Sequence, residues 1–220
     1  METITSCQLE KIIIYPIKSC AGQEVSSWLI NNKGLKFDRY WCLVNSDNKK
    51  MVANKYPILS LIYPNIDLEL SCLSLRYFNQ YISIPLSKIN QTDYILVNKW
   101  LSTIIGEDCY LIAKEKTNKN FSNQGNIHLI NQNSITDLQS KISDREISYR
   151  NFRPNLVVTL DTPYTEDEIG SYLINESLRL KFVNKCRRCS VINIQNGLMK
   201  SSDIYKKLSQ YRISQKNVYF

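Results

Sequence analysis

The 220-residue sequence predicts a mainly β fold with a few short helices. Short apolar or alternating segments fill the first 85 residues, and breaks rich in Asn, Asp, Gly and Ser separate them. A hydrophobic content of 43% is enough to bury a core. No repeat at a fixed period is visible in the chain. The rhythm of short strands predicts a β-rich barrel or sandwich in the N-terminal half.

The elements of this half follow in order. The predicted strands are "KIIIYPI" (11–17), "YWCLVN" (40–45), "PILSLIY" (57–63), "IDLELS" (66–71), "LSLRYF" (73–78) and "YISIPL" (81–86). A helix is predicted at "NKWLSTIIG" (98–106), because its apolar residues recur at helical spacing and Gly106 can end it. "CYLIA" (109–113) is the last predicted strand of this half.

A polar stretch divides the chain. Residues 114–126, "KEKTNKNFSNQGN", are almost free of apolar side chains and predict an exposed linker between a domain at 1–113 and a domain at 127–220. In the second domain we expect strands at "IHLIN" (127–131), "NLVVTL" (155–160) and "SLRLKFVN" (177–184). We expect helices at "SITDLQSKI" (134–142), capped by Ser134 or Asn133, and at "SDIYKKLSQY" (202–211).

Charge and cysteine content narrow the classes of function. Lys and Arg outnumber Asp and Glu by 28 to 20, so the formal charge of +8 favours an anionic partner. The basic residues are dispersed, so we do not expect nucleic-acid binding. The N-terminus lacks an apolar segment, and no later window reaches the length of a membrane span, so we expect a cytoplasmic protein without membrane association. Seven irregularly spaced cysteines argue against a disulfide scaffold.

The stretch "KCRRCS" places Cys186 and Cys189 around two arginines. A structural zinc site would need two further ligands, and the chain has one histidine and no second paired-cysteine motif. A redox dithiol normally precedes a helix, whereas "CRRCSVINI" reads as strand running into strand. A thiolate beside Arg187 and Arg188, which could also grip an anion, remains as the chemical interpretation. The alternative is two small buried cysteines at a strand end.

Polar residues also lie at predicted strand ends. Lys18 and Ser19 follow the first strand, and Asp38 and Arg39 precede the second. In "YRNFRPNLVVTL", Arg150, Arg153 and Asn155 come just before a buried-looking strand, with Pro154 restraining the backbone. Side chains at neighbouring strand ends can face the same opening of a β fold, although solvated turns would explain the same pattern. The single histidine, His128, lies in an apolar run, where a hydrogen-bonded structural role is the expected one.

Taken in order, these segments resemble the MOSC family, and specifically its members with an N-terminal β-barrel domain, such as the mitochondrial amidoxime reducing component and bacterial relatives. The matching pieces are "YPIKSCAG", "GLKFDRYWCLVN", "WLSTIIG", "IHLINQNSITDL", "NFRPNLVV", "PYTEDEIGSYL" and "CRRC". The resemblance covers nearly the whole chain, and it implies an N-terminal β-barrel domain followed by a MOSC β-barrel domain. It also implies a site for the molybdenum cofactor, a pyranopterin that carries Mo and a phosphate.

The resemblance assigns roles to individual residues. Cys189, the second cysteine of "CRRC", matches the family's metal ligand and is the expected catalytic residue, whereas the role of Cys186 stays open. Lys18 and Ser19 match the pair that contacts the pterin phosphate. The other expected cofactor-binding residues are Arg39, Arg153, Asn155, Arg187 and Arg188. Donors of this kind suit a phosphate, and a thiolate suits a soft metal.

The implied reaction is reduction of small N-hydroxylated or N-oxygenated compounds, with electrons from a separate partner reductase. The alternatives are a cofactor carrier or binding protein without turnover of its own, and a MOSC fold that binds no metal. The family's usual C-terminal strands extend past the residues matching "NVYF", so we expect an incomplete second barrel in this chain. Unpaired strand edges then predict self-association.

Overall fold

The computed structural model describes residues 8–114, 125–167, 171–175, 178–200 and 203–220. Its strands are β1 (Gln8–Ile14), β2 (Gln23–Val25), β3 (Ile30–Asn31), β4 (Gly34–Leu35), β5 (Trp41–Asn45), β6 (Tyr63–Asp67), β7 (Cys72–Tyr77), β8 (Gln80–Pro85), β9 (Cys109–Ala113), β10 (Leu129–Asn131), β11 (Leu156–Thr159), β12 (Ser171–Asn175), β13 (Leu178–Lys181), β14 (Ile194–Gln195), β15 (Leu198–Met199), β16 (Ile213–Ser214) and β17 (Asn217–Val218). Its α-helices are α1 (Gln91–Ile105), α2 (Gln132–Ser140), α3 (Tyr149–Phe152) and α4 (Asp203–Tyr211). The predicted class, mainly β with a few short helices, is confirmed.

One four-stranded sheet joins the two halves of the chain, in the order β10-β11-β1-β2. Strand β1 pairs antiparallel with β11 on one side and with β2 on the other, so that Ile12 lies opposite both Leu156 and Val25. Strand β10 runs parallel to β11. The C-terminal end of β1 and the residues before β11 are therefore neighbours. This pairing positions the polar groups described below.

The N-terminal core lies among the β5–β9 pair, the β6-β7-β8 meander and helix α1. Trp41, Leu43 and Leu101 are almost completely buried in it. Helix α1 begins at a capping box formed by Asn90 and Asp93, which satisfies backbone N–H groups of the first turn. It ends at Gly106, whose φ of 86° is the left-handed conformation that glycine adopts at little cost. The predicted helix stop is thus observed, although the helix begins earlier than expected.

A second core lies between the β1–β11 pair and helices α2, α3 and α4. Its buried side chains include Leu138, Val157 and Leu208. Phe220 is also buried and stacks on Phe152, with ring centroids 3.9 Å apart and planes 12° from parallel. This stack packs residues 218–220 against helix α3, directly beside the candidate site.

Several elements differ from the sequence-based expectation. Residues 57–61 form a 3-10 turn instead of a strand, because Pro57 favours the start of a helical turn and Leu59 is buried in the core. Residues 190–193 also form a 3-10 turn where we expected a strand. Helix α2 is capped by Asn131 rather than by Asn133 or Ser134, since its side chain accepts a hydrogen bond from the Asn133 N–H.

Residues 115–124, most of the predicted linker, lie outside the described residues. The described strands pair in separate sheets of two to four strands and do not close a barrel. Within the described ranges, no helix combines the length and the apolar character needed to cross a membrane.

Candidate anion-binding and thiol site

A cleft with a volume of about 1140 Å³ opens between the two halves of the chain. One wall comes from β1, β2 and the loop between them, and includes Tyr15, Ser19 and Gly22. The facing wall comes from residues 146–153 and 191–196, and includes Arg153. Of the residues predicted to bind a cofactor, Ser19 and Arg153 line this cleft directly.

Arg39 is fixed behind the cleft by three acceptors. Its Nη1 donates to Asp38 Oδ2 at 2.5 Å and to Asn155 Oδ1 at 2.9 Å, and its Nη2 donates to the Arg153 carbonyl at 3.0 Å. Asp38 is held in turn, because its Oδ1 accepts from the Tyr15 N–H at 2.8 Å. The Asp38–Arg39 ion pair therefore links the end of β1 to the residues before β11.

The ring of Tyr15 lies against two guanidinium groups. Its centroid is 4.3 Å from Cζ of Arg39 and 4.4 Å from Cζ of Arg153, which are distances of strong cation–π contacts. Within the described residues, the Arg153 guanidinium donates no hydrogen bond, so this ring is its main contact. Burial lowers the pKa of Arg153, although a guanidinium still keeps its charge at neutral pH.

Asn155 connects three separate segments of the chain through its side chain and is 2% exposed. Its Oδ1 accepts from Arg39 and from the His128 N–H at 3.1 Å, and its Nδ2 donates to the Ile13 carbonyl at 3.0 Å. The buried side chain of Asn155 therefore holds Arg39, His128 and Ile13 together. We predicted it as a cofactor-binding residue, and the structure places it one layer behind the cleft.

Arg188 is surrounded by neutral acceptors. Its guanidinium donates to His128 Nε2 at 2.5 Å, to the Phe152 carbonyl at 3.1 Å and to the Phe220 carbonyl at 2.9 Å. Its Nε is buried and has no hydrogen-bond partner within the described segments. Burial lowers the pKa of Arg188, while the sulfurs of Cys186 and Cys189 oppose that shift, so both sulfurs lie near the guanidinium.

His128 is neutral in this arrangement. Burial, assisted by the charge of Arg188, holds the pKa of His128 well below its ordinary value. Because a guanidinium can only donate, Nε2 must be the acceptor and the proton resides on Nδ1, which lies 3.4 Å from the Arg153 carbonyl. The expected hydrogen-bonded role of His128 is therefore observed, within the candidate site itself.

The two cysteines of "CRRC" differ in environment. Cys189 is exposed and precedes the 3-10 turn at 190–193, whereas Cys186 is half-buried. Both are free thiols. Cys189 does not line the cleft itself, but Val191, two residues further on, does. Arg187 is exposed, and its backbone forms a bridge with Tyr219.

Lys18 and Ser19 follow β1 as predicted. Burial lowers the pKa of Lys18 to about 8, and the charges of Lys50, Arg39 and Arg153 add to that shift. Ser19 is 9% exposed, and its Oγ accepts from the Ala53 N–H at 3.1 Å. Among the residues that the structure describes, no acceptor takes the hydroxyl proton of Ser19.

Backbone strain coincides with these positions. Ser19, Arg39 and Arg153 have φ values of 74°, 46° and 56°, a left-handed region that disfavours residues with a Cβ. Such conformations cost of order 1–3 kcal/mol each and concentrate at functional sites. Among the described residues, nine other non-glycine residues share this region, Asn48 and Lys88 among them, so the feature is not confined to the predicted site.

The outer part of the cleft is held by Glu24. Its carboxylate accepts from Lys11 at 3.0 Å, from Arg150 at 2.9 Å and from the Tyr149 hydroxyl. These bonds, led by that of Tyr149, lower the pKa of Glu24 to about 2. The contacts connect β1 and β2 to helix α3, which directly precedes Arg153.

Sequence reasoning missed Tyr15 and passed over Asp38 as part of the site. Tyr15 precedes a proline inside an apolar strand, a position typical of a core aromatic residue, so no local signal marked it. Asp38 does adjoin Arg39 in sequence, and this adjacency could have indicated an ion pair. The described residues contain no cluster of three or more His, Cys, Asp or Glu able to hold a metal ion.

Comparison with models of known protein families supports the resemblance to the MOSC family. The model described as the MOSC N-terminal beta barrel domain matches residues 6–110, and the MOSC domain model matches residues 116–220. The chain therefore belongs to the MOSC family. The predicted membership is confirmed across nearly the whole sequence.

Curated relatives carry the name molybdenum cofactor sulfurase. The protein from Oryza sativa subsp. japonica is 28% identical and covers 100% of this chain, which matches 32% of its own length. The human protein is 27% identical and covers 94% of this chain, which matches 29% of its length. The chain thus spans about a third of these relatives. A solution structure of a Bordetella bronchiseptica protein aligns with a TM-score of 0.36 at 17% identity, over 46% of this chain and 86% of that one.

Proposed function

We propose that this chain binds the molybdenum cofactor, with its cationic cluster on the phosphate and pterin and with Cys189 as the thiolate ligand of the metal. The observation that carries the proposal is the charge imbalance at the site. Arg39, Arg153 and Arg188 gather around the end of β1 and the start of β11, and Asp38 is the one carboxylate in ion-pair distance of them among the described residues.

The chemistry of these groups fits an anionic cofactor. Arg153 and Ser19 line the cleft, and among the described residues neither the Arg153 guanidinium nor the Ser19 hydroxyl proton has a hydrogen-bond acceptor; Lys18 adds a cation nearby. A buried cation without a counter-charge is costly, and a bound anion would remove that cost. A phosphate with several oxygens can accept from all of these donors.

The thiol also fits. Cys189 is exposed, so a ligand can reach its sulfur, and that sulfur lies near the guanidinium of Arg188. Arg188 is held in place by His128 and by two backbone carbonyls, which prevents it from swinging toward solvent. A thiolate is the ligand type that a soft metal prefers.

For the activity, we propose reduction of small N-hydroxylated or N-oxygenated compounds, with electrons from a separate reductase. When bound, the cofactor supplies two-electron oxygen-transfer chemistry, and the protein binds and orients it. An exposed Cys189 leaves that side of the site open to a small substrate.

The second candidate is cofactor binding without turnover. The relatives are named molybdenum cofactor sulfurases, and the region that matches this chain makes up 32% of the rice protein and 29% of the human protein. Each relative is therefore about three times as long as the matched region. A region that only holds the cofactor, while another part of a longer protein acts on it, would carry the same cationic cluster and the same thiol.

Elemental analysis tests the binding proposal. The chain is expressed in a host that makes the cofactor, and Mo is measured together with the fluorescence of oxidised pterin. We expect Mo and pterin near one equivalent in the wild type, loss of Mo in Cys189→Ser and a milder loss in Cys186→Ser. Equal losses in the two variants would point to a dithiol instead. Wild-type protein without Mo and pterin would leave a MOSC fold that binds no metal.

Turnover separates the two candidates. The Mo-loaded wild type is mixed with an amidoxime and an artificial electron donor, and the amidine product is quantified. The reductase proposal expects product from the wild type and none from Cys189→Ser. Stoichiometric cofactor without product formation would support the carrier.

A further inference from the structure

Two aromatic rings and a guanidinium group line the cleft from the β6-β7-β8 meander, a wall that carries none of the residues proposed to hold the cofactor. These residues are Tyr63, Arg76 and Phe78. Tyr63 lies opposite Arg76 in the pairing of β6 with β7, and Phe78 follows β7 directly. Tyr63 is 39% exposed and Phe78 is 63% exposed, so a ligand that enters the cleft can reach both rings.

Phe78 occupies a position where neither the turn nor the packing calls for an aromatic residue. It lies in the two-residue turn between β7 and β8, and its φ of 48° is a left-handed value that turns usually give to Gly, Asn or Asp. Its ring contacts Tyr77 edge-on, with centroids 4.8 Å apart, and leaves most of its surface in water. Covering such a ring with apolar surface is favourable. A ligand ring placed on Phe78 therefore gains binding free energy.

Arg76 adds a cation to this wall. Its Cζ lies 4.8 Å from the ring centroid of Tyr63, which is a distance of cation–π contacts. Within the described ranges, no carboxylate lies in ion-pair distance of Arg76. By contrast, Lys11 and Arg150, which also line the cleft, share the carboxylate of Glu24. The guanidinium of Arg76 can therefore donate two parallel hydrogen bonds to an anionic group of a ligand.

We propose that Tyr63, Arg76 and Phe78 form a subsite for a planar aromatic ligand that carries an anionic group, such as an aromatic carboxylate. The two rings contact the aromatic ring of the ligand, and Arg76 binds its carboxylate. Contacts between aromatic rings add to the free energy of area burial, so a planar ring is favoured over a saturated ring of the same size. The inference goes beyond the proposed cofactor site, since it uses a different wall and different residues.

Fluorescence titration with 2-naphthoate measures this subsite in the full chain, purified from a host that does not make the cofactor. We expect Phe78→Leu, which keeps an apolar side chain but loses the ring, to bind 2-naphthoate about tenfold more weakly. Tyr81→Leu is the matched control, because Tyr81 lies opposite Arg76 on β8 and is 79% exposed but does not line the cleft. Its affinity should equal that of the wild type. An equal loss in the two variants would place the ligand on the outer face of the sheet and overturn the inference.

Charge and planarity are tested separately. Arg76→Gln should weaken binding of 2-naphthoate about tenfold and leave binding of the neutral 2-naphthamide unchanged. Benzoate should displace 2-naphthoate from the wild type at lower concentration than cyclohexanecarboxylate does, since the two acids have the same charge but only benzoate is planar. An unchanged preference for the anion in Arg76→Gln, or equal displacement by the two acids, would contradict the assigned ligand class.

The cofactor proposal can stand or fail independently of this subsite. A wild type that binds 2-naphthoate but retains no pterin would refute the cofactor proposal alone. A wild type that binds no 2-naphthoate would overturn the aromatic subsite, whatever its pterin content. A lower pterin content in Phe78→Leu than in the wild type, after expression in a host that makes the cofactor, would assign this wall to the cofactor and also overturn the inference.

Discussion

Replacing Asn155 by Ala should destabilise the whole fold, because this side chain bonds to three separate segments. It accepts from Arg39 and from the His128 N–H, and it donates to the Ile13 carbonyl. Arg39 keeps its ion pair with Asp38 after the change. The His128 N–H and the Ile13 carbonyl lose this partner in a buried environment, which costs about 1–3 kcal/mol each. We therefore expect a loss of about 2–6 kcal/mol, a large part of the ~5–15 kcal/mol that stabilises a typical domain.

Urea denaturation followed by circular dichroism measures this loss as a change in the free energy of unfolding. Asn54→Ala is the matched control, since Asn54 is exposed and surface substitutions usually change stability by less than about 0.5 kcal/mol. If Asn155→Ala unfolded at the same urea concentration as Asn54→Ala, the three hydrogen bonds of the Asn155 side chain would not contribute to the free energy of unfolding. The interpretation of Asn155 would then be wrong.

Two further predictions concern the same region. His128 is the single histidine, and its pKa in the folded protein lies well below 6.5. As the pH falls, this histidine therefore takes up a proton in the unfolded chain before it does so in the folded one. The free energy of unfolding should decrease below about pH 6.5. In His128→Gln, which keeps an acceptor for Arg188, this pH dependence between 5 and 7 should flatten, and an unchanged slope in urea titrations would contradict the assignment. Gly22→Ala should lower stability by about 1–3 kcal/mol, since its Cβ would lie 2.6 Å from both Tyr15 and Ile13. A thermal melt equal to that of the wild type would show that the ring can move away.

Much of the local structure followed from the sequence. The strand at 109–113 has the predicted bounds, and α1 ends at Gly106 as expected. Apolar spacing and a glycine in the left-handed region are local signals, so they can be read without the rest of the chain. The segment at 57–61 was predicted wrongly because its apolar residues suited a strand, whereas burial of Leu59 in a 3-10 turn decided its conformation.

Part of the site was also visible in the sequence. Arg39, Arg153 and Arg188 were chosen as site residues, and the structure brings them into one connected network with His128 and Asn155. Their proximity had no local signal, since Arg39 and Arg153 are 114 residues apart in the chain. The contact depends on the pairing of β1 with β11, which is a long-range property of the fold.

By itself, the sequence determined the mainly β class, the surplus of positive charge, the "CRRC" thiols and the family resemblance, because each depends on composition or on short ordered motifs. Only the tertiary structure decided that Arg188 is held by neutral acceptors, that Asp38 pairs with Arg39, and that the ring of Tyr15 lies against Arg39 and Arg153 at the cleft wall. These features are balances of charge and hydrogen bonding between distant segments. They exist only once the strands have paired and have excluded water from the groups between them.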